Sequence, residues 1–173
     1  MFPALIILIF VILILVVLII VGAFQLIFDI FLELPYVGAN KKRIKTIIEL
    51  AQIKKGSTVV DLGSGDGRLL FAAANFEAYA IGYEINPLLV AITKFKISLK
   101  KNNNVEVKKD SLWKADLKKA DIIFVYALRK SMAKFENFIY KNAKKGTKII
   151  VNTNPFPNKK PKKQKDGIFL YIV

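Results

Sequence analysis

Hydrophobic and polar positions follow two regimes along this chain. Phe2 to Phe28 carries no charged residue and, apart from Pro3, Gly22 and Gln25, is almost wholly Ile, Leu, Val, Phe and Ala. About 20 apolar residues cross a bilayer core as a helix, so the run predicts a transmembrane helix. Asp29–Leu34 stays apolar, with Asp29 and Glu33 one helical turn apart, and Pro35 is expected to stop that helix. Tyr36–Asn40 reads as a short linker. The expected division is thus an anchor with a juxtamembrane helix over 1–34 and a folded domain over 35–173.

Beyond the linker the pattern alternates between helical and strand periods. Asn40 is expected as the N-cap of a helix through Ile53 with Ile44, Ile47, Ile48 and Ala51 on one face, closed by Gly56. Strands are expected at Thr58–Leu62, Tyr79–Ile85, Val105–Lys109, Asp121–Ala127 and Thr147–Asn152. Helices are expected at Arg68–Asn75, at Pro87–Lys101 with Pro in its first turn, and at Lys130–Ala143. Asn158–Lys165 reads as a basic loop and Ile168–Val173 as a last strand, so only one strand is expected after the fifth and the sheet edge looks incomplete. Repeated βα units with short loops make this an α/β domain with a Rossmann-like, doubly wound parallel sheet.

Composition narrows the chemistry. The net charge is +15, nearly all of it Lys, with Arg only at 43, 68 and 129. A basic domain beside an anionic leaflet gains attraction from each Lys, and abundant Lys, Ile and Asn look like a compositional bias, so a nucleic-acid footprint is the less favoured partner. No Lys or Arg precedes the apolar run, whereas Lys41, Lys42, Arg43 and Lys45 follow it. The positive-inside rule then puts the domain on the cytoplasmic side of a single-pass protein. A basic start, a shorter apolar core and a small-residue cleavage site, the marks of a secretory signal, are missing. The chain has no Cys and no His. Disulfides, thiolate metal sites, Cys nucleophiles and the commonest general base are excluded, and no metal site is expected.

The sharpest candidate for chemistry is Val59-Val60-Asp61-Leu62-Gly63-Ser64-Gly65-Asp66-Gly67-Arg68. A β-branched strand end, a glycine turn and a helix start form the place where an α/β sheet holds a nucleotide-like ligand against backbone amides. The spacing is G-x-G-x-G after an acid, unlike the G-x-G-x-x-G of dinucleotide binders. Glu84 ends the second strand about 20 residues on, the distance that ribose recognition requires. Asp61 is read either as ordering the turn or as meeting a ligand amino group. Two directions are open for Asp66, toward cofactor or toward substrate, and Arg68 is read as a surface residue.

The Asp61–Gly67 turn resembles motif I of the class I S-adenosylmethionine-dependent methyltransferases. A narrower resemblance covers roughly residues 35–173. Pro35-Tyr36-Val37, Asp61–Arg68, Gly82-Tyr83-Glu84-Ile85-Asn86-Pro87-Leu88-Leu89-Val90, Leu112-Trp113-Lys114 and Pro155-Phe156-Pro157 are similar to the membrane-associated lysine N-methyltransferases that modify the ATP synthase c-subunit and the adenine nucleotide carrier. The resemblance implies S-adenosylmethionine as cofactor and a protein lysine as methyl acceptor. On the cofactor side it implies Asp61, Gly63, Ser64, Gly65, Asp66, Gly67, Glu84 (ribose), Asn86, Asp110 (adenine amino group) and Ser111. On the acceptor side it points to Tyr126, Trp113, Pro155 and Phe156. The short link to the anchor implies a membrane-protein substrate; oligomeric state is left open.

This chain departs from the family in places. Ser111 precedes Leu112 where the family carries Asp, the acid being displaced to Asp110, and Thr153-Asn154-Pro155-Phe156-Pro157 lacks the family's Arg. Asn154-Pro155-Phe156 superficially resembles the Asn-Pro-Pro-Tyr loop of adenine and glutamine methyltransferases. That loop follows strand four, which here ends in Tyr126-Ala127-Leu128, so adenine methylation loses weight. Methylation of RNA, a lipid or a small molecule, and a non-catalytic S-adenosylmethionine-binding module, stay open as alternatives.

Overall fold

The structure is a computed structural model and describes residues 2–31 and 40–173. The expected helix stop at Pro35, most of the Tyr36–Asn40 linker and the Pro35-Tyr36-Val37 segment lie outside the described residues. The chain divides into two units, Met1–Tyr36 and Val37–Val173.

Among the described residues the first unit is one helix, α1 (Phe2–Phe31). Its stretch Pro3–Phe24 is long and apolar enough to cross a membrane, and none of it is buried. Apolar residues occupy every side, so the helix has no polar face to turn to water.

The second unit opens with α2 (Lys41–Ala51), whose N-cap Asn40 accepts the Arg43 N–H at 2.9 Å. The helix ends sooner than the expected Ile53. Gln52 takes the left-handed conformation (φ 47°) and donates its N–H to the Ile48 carbonyl, an αL cap. That turn swings Ile53 against the core. Gly56 sits in the next turn, where its N–H meets the Glu77 carbonyl at 2.9 Å.

Then follow β1 (Thr58–Leu62), α3 (Arg68–Ala74), β2 (Tyr79–Glu84), α4 (Pro87–Lys100), β3 (Val105–Lys109), β4 (Ile122–Tyr126), α5 (Met132–Asn142), β5 (Lys148–Asn152), β6 (Lys163–Lys165) and β7 (Ile168–Ile172). Short 3-10 turns lie at Leu112–Lys114 and at Arg129–Ser131, the latter shortening the helix expected from Lys130.

The seven strands among the described residues form one sheet in the order β3-β2-β1-β4-β5-β7-β6. The first five are parallel, and β7 is antiparallel to both β5 and β6. The sheet edge is therefore complete, against the expectation from sequence. Lys163-Gln164-Lys165 is exposed on both faces, so it lacks the apolar alternation that marks a strand. Charged residues on a short edge strand discourage further pairing.

Parallel crossovers are right-handed. Those from β1 to β2 and β2 to β3 run one way and that from β4 to β5 the other, so α3 and α4 cover one face and α5 the other. Helix α2 packs beside α3, over β5 and β7. Ile47, Ala51, Leu70 and Phe71 bury there against Val59, Ala80, Phe124, Ile150 and Leu170. Residues alternate along a strand, so Ile123, Val125, Ile149 and Val151 face the α5 side, where Met132, Phe135 and Ile139 are buried. The winding direction reverses between β1 and β4. In such sheets the ligand crevice opens there, beyond the carboxyl ends of the strands.

Candidate active site

The glycine turn leaves β1 at that reversal. Its conformation needs glycine at Gly63, Gly65 and Gly67, with φ of 93°, 56° and 78°. A Cβ on Gly63 would meet no described atom within 4 Å, so there is room above the backbone. The Gly63 and Ser64 N–H groups donate to the Tyr83 carbonyl of β2 at 2.9 and 3.1 Å. Ser64 packs over Gly82, where a Cβ would collide with Ser64 Oγ and lie 2.6 Å from Ser64 Cβ and 2.7 Å from Leu70. Gly82 is thus a seat for the turn.

Glu84 faces the same turn. Its Oε2 accepts the Gly65 N–H at 2.9 Å and its Oε1 the Asn86 N–H at 2.8 Å. A carboxylate has about four acceptor sites, so two amides fix its orientation and leave lone pairs for a diol. Asn86, buried, caps α4 by accepting the Leu88 and Leu89 N–H groups at 2.9 and 3.4 Å.

Asp61 is buried at the end of β1. Burial, then the charges of Glu84 and Asp66, push its carboxyl up to about 7. Asp61 and Glu84 beside one turn, with an orphaned buried hydroxyl, suit a cation carrying donors. That hydroxyl is Ser64 Oγ, the one buried side-chain polar atom without a hydrogen-bond partner among the described residues.

Asp66, expected to face cofactor or substrate, does not present a free carboxylate. Arg68 donates to it from Nε at 2.9 Å and Nη2 at 3.2 Å, and Lys96 of α4 reaches both its Oδ2 and its carbonyl at 2.9 Å. Burial opposes ionisation, but these hydrogen bonds and charges hold the acid well below its ordinary value. Thr93 Oγ1 also donates to the Gly65 carbonyl at 3.2 Å. Thr93 and Lys96 therefore latch the turn to α4, and Arg68 is part of the turn and not only a surface residue. Sequence carries no signal for this latch, because it joins residues far apart in the chain.

The other expected residues divide. Tyr126 is half-buried at the end of β4, one register position beyond the Leu62–Val125 pair and beside the start of the turn. Asp110 is half-exposed; the Ser111 N–H at 2.7 Å and Lys114 at 3.2 Å lower its pKa. Ser111 Oγ caps the next turn by accepting the Trp113 N–H at 3.4 Å. Two aromatic side chains expected as acceptor walls make packing contacts. Trp113 lies 4.7 Å from Phe135 and 5.4 Å from Phe138, with Lys134 4.2 Å over its ring. Phe156 is buried against Tyr171 and Tyr140, and its N–H donates to Tyr171 Oη at 3.0 Å. Pro155 is exposed beside it.

Sequence reasoning also missed Arg43 of α2. Its guanidinium donates to Asn152 Oδ1 and, at 3.0 Å, to Thr153 Oγ1, at the end of β5. Thr153 has φ 75°, costly for a β-branched residue. Arg43 and the Thr153 N–H bond to the Gly167 carbonyl hold it there.

The family model described as the ANTKMT methyltransferase domain matches residues 61–163. Among curated proteins, the lysine N-methyltransferase of Xenopus laevis that is named for the ATP synthase c-subunit is 30% identical over 126 residues, 72% of this chain and 55% of its own length. A protein-lysine N-methyltransferase of Saccharolobus islandicus is 26% identical over 153 residues, covering 81% of this chain and 94% of that protein. The chain spans about half the length of the first of these relatives. A solved RNA methyltransferase from Salinibacter ruber, in complex with S-adenosyl-L-homocysteine, shares the fold with a TM-score of 0.75. It is 24% identical, and the match covers 79% of this chain and 94% of that one.

Proposed function

The chain belongs to the ANTKMT methyltransferase domain family, and we propose that it is a membrane-anchored protein-lysine N-methyltransferase that uses S-adenosylmethionine. The observation that carries this reading is Glu84, held by two backbone amides beside the glycine turn with acceptor capacity to spare. The residues suit the cofactor: Glu84 for its ribose hydroxyls, Asp61 for its amino group, the Gly63–Gly67 backbone for close approach, and Asp110 with Ser111 at the adenine side. Bound there, S-adenosylmethionine supplies an electrophilic methyl group whose leaving thioether needs no proton.

Transfer then depends on positioning, which matches a chain with neither His nor Cys. The acceptor lysine attacks through its lone pair, so its ammonium group must first lose a proton, and desolvation at the site mouth lowers its pKa. Tyr126, at the end of β4, is the proposed contact to that amine. Pro155 is the exposed residue of the loop after β5 and borders the acceptor side. Helix α1 would hold the domain at the cytoplasmic face and restrict acceptors to lysines near the bilayer, in keeping with a relative named for the c-subunit of ATP synthase.

The test is to incubate the full chain with its own membranes and labelled S-adenosylmethionine, then separate protein, RNA and lipid. Label is expected on lysine of a membrane protein; label confined to RNA or lipid overturns the acceptor class. In parallel, Glu84→Ala is expected to weaken S-adenosylmethionine binding about 10-fold or more, and unchanged affinity in calorimetry would defeat the ribose assignment.

A further inference from the structure

An outer helix of a doubly wound sheet ordinarily turns polar residues to water, and α4 adds to these an exposed apolar stripe. Leu88, Ile92, Phe95 and Leu99 are spaced four, three and four residues apart and fall on one stripe. All four are exposed, Phe95 by 64% and Leu99 by 67%. The opposite side of the same helix buries Val90 and Thr93 in the domain, so the stripe is surplus to the core. Its flanks are cationic, with Lys94 and Lys100 exposed, and α4 contains no Asp or Glu.

An exposed apolar stripe of this length marks a contact surface, and its rim selects the occupant. A second copy of the chain would set lysines against lysines across a two-fold contact, and each copy already carries +15. An apolar stripe edged with Lys instead has the signature of a helix lying in the plane of a lipid interface. Lys stems cover apolar surface while their ammonium groups reach outward to phosphate. Lys100 Nζ lies 4.9 Å from the Phe71 ring centroid, so its ammonium turns outward to phosphate only on docking.

We propose that α4 docks the domain on an anionic bilayer surface, with Leu88, Ile92, Phe95 and Leu99 at the acyl boundary and Lys94 and Lys100 on lipid phosphates. The contact goes beyond the anchor reading and needs no premise from it. Because α4 also carries Thr93 and Lys96, which hold the glycine turn, docking would present the crevice at a set height over the lipid.

The absence of cysteine allows single fluorophores to be placed by Phe95→Cys, Leu99→Cys and, on α5 across the sheet, Lys141→Cys. The full chain is reconstituted in phosphatidylcholine vesicles and in vesicles of equal parts phosphatidylcholine and phosphatidylglycerol. An environment-sensitive label at 95 or 99 is expected to shift to the blue and be quenched by lipid-borne nitroxides in the mixed vesicles, and much less in phosphatidylcholine. The label at 141 is expected to stay in water in both. Adding Lys94→Gln should lower the docked-to-undocked ratio about five-fold.

Labels at 95 and 99 as solvent-exposed as that at 141 in mixed vesicles would overturn the proposal. Equal docking on both lipids would do the same, as would a blue shift that grows with protein concentration in lipid-free detergent, the mark of a second copy. Flotation with phosphatidylcholine vesicles reads the α1 anchor separately, so a failed anchor and a failed α4 contact give different results.

Discussion

At the scale of single residues, sequence singled out the acids around the glycine turn but could not say what each one touches. Glu84 was legible because its distance from the glycine turn is set by one βα unit. Asp61 was left between ordering the turn and meeting a ligand, and its burial beside Glu84 and Asp66 favours the second. Asp66 was illegible, since its partner Lys96 sits on another element. Asp61 also gives a pH prediction. Its carboxyl is raised from 3.8 to about 7 in the folded protein. The folded state then holds a proton that the unfolded chain has lost, so this group's stabilising contribution is full below pH ~4 and is lost as pH rises toward about 7. A cationic ligand favours the ionised form and must displace the proton. Affinity for S-adenosylmethionine is therefore expected to rise between pH 5.5 and 7, by up to about ten-fold per unit, with proton release visible in calorimetry across buffers of different ionisation enthalpy. Asp61→Asn should flatten the profile, and a flat profile in the unsubstituted protein would show that this carboxyl does not meet the cation.

Elements were read from sequence to within a residue or two where period and punctuation agreed, as for β1, β2, β3 and α4. Errors arose where a local rule was overridden. Helix α2 closed at Gln52 because Ile53 had a core to meet, and β6 escaped notice because Lys163-Gln164-Lys165 has no apolar face. Gly82 was visible as a residue but its purpose was not, since only the folded strand shows Ser64 lying on it. Gly82→Ala drives a methyl group into Ser64 and Leu70, overpacking that typically costs about 1–3 kcal/mol. Ser64 belongs to the turn, so the same change is expected to lower melting temperature and S-adenosylmethionine affinity together. As a control of equal size, Gly146→Ala occupies open space, though at φ 86°, and should cost stability alone. If Gly82→Ala melts lower yet binds normally, the turn does not depend on that seat.

The whole molecule adds what neither residues nor elements decide, namely how its charge is carried. Lys and Arg number 28 against 13 acids, so pairing cannot neutralise the surface. Several pairs that do form are well exposed, such as Lys55–Glu77 at 2.7 Å, Lys144–Asp121 at 2.6 Å and Lys165–Glu49 at 2.8 Å. Pairs of that kind contribute little. What remains is like-charge repulsion across a compact domain, which opposes folding and which anionic lipid would relieve at the α4 face. Salt should relieve it too, since the screening length falls from about 30 Å at 0.01 M to about 10 Å at 0.1 M. The full chain in non-ionic detergent is therefore expected to melt higher as sodium chloride is raised from low to physiological levels. Each ~1 kcal/mol of relieved repulsion is worth about 2–4 °C at this size. Anionic detergent or phosphatidylglycerol should produce the same rise at low salt, and the two effects should not add, because both act on the same excess of lysines. A melting temperature that falls with salt would mean that the surface pairs outweigh the repulsion, and that the charge excess does not drive this domain toward an anionic surface.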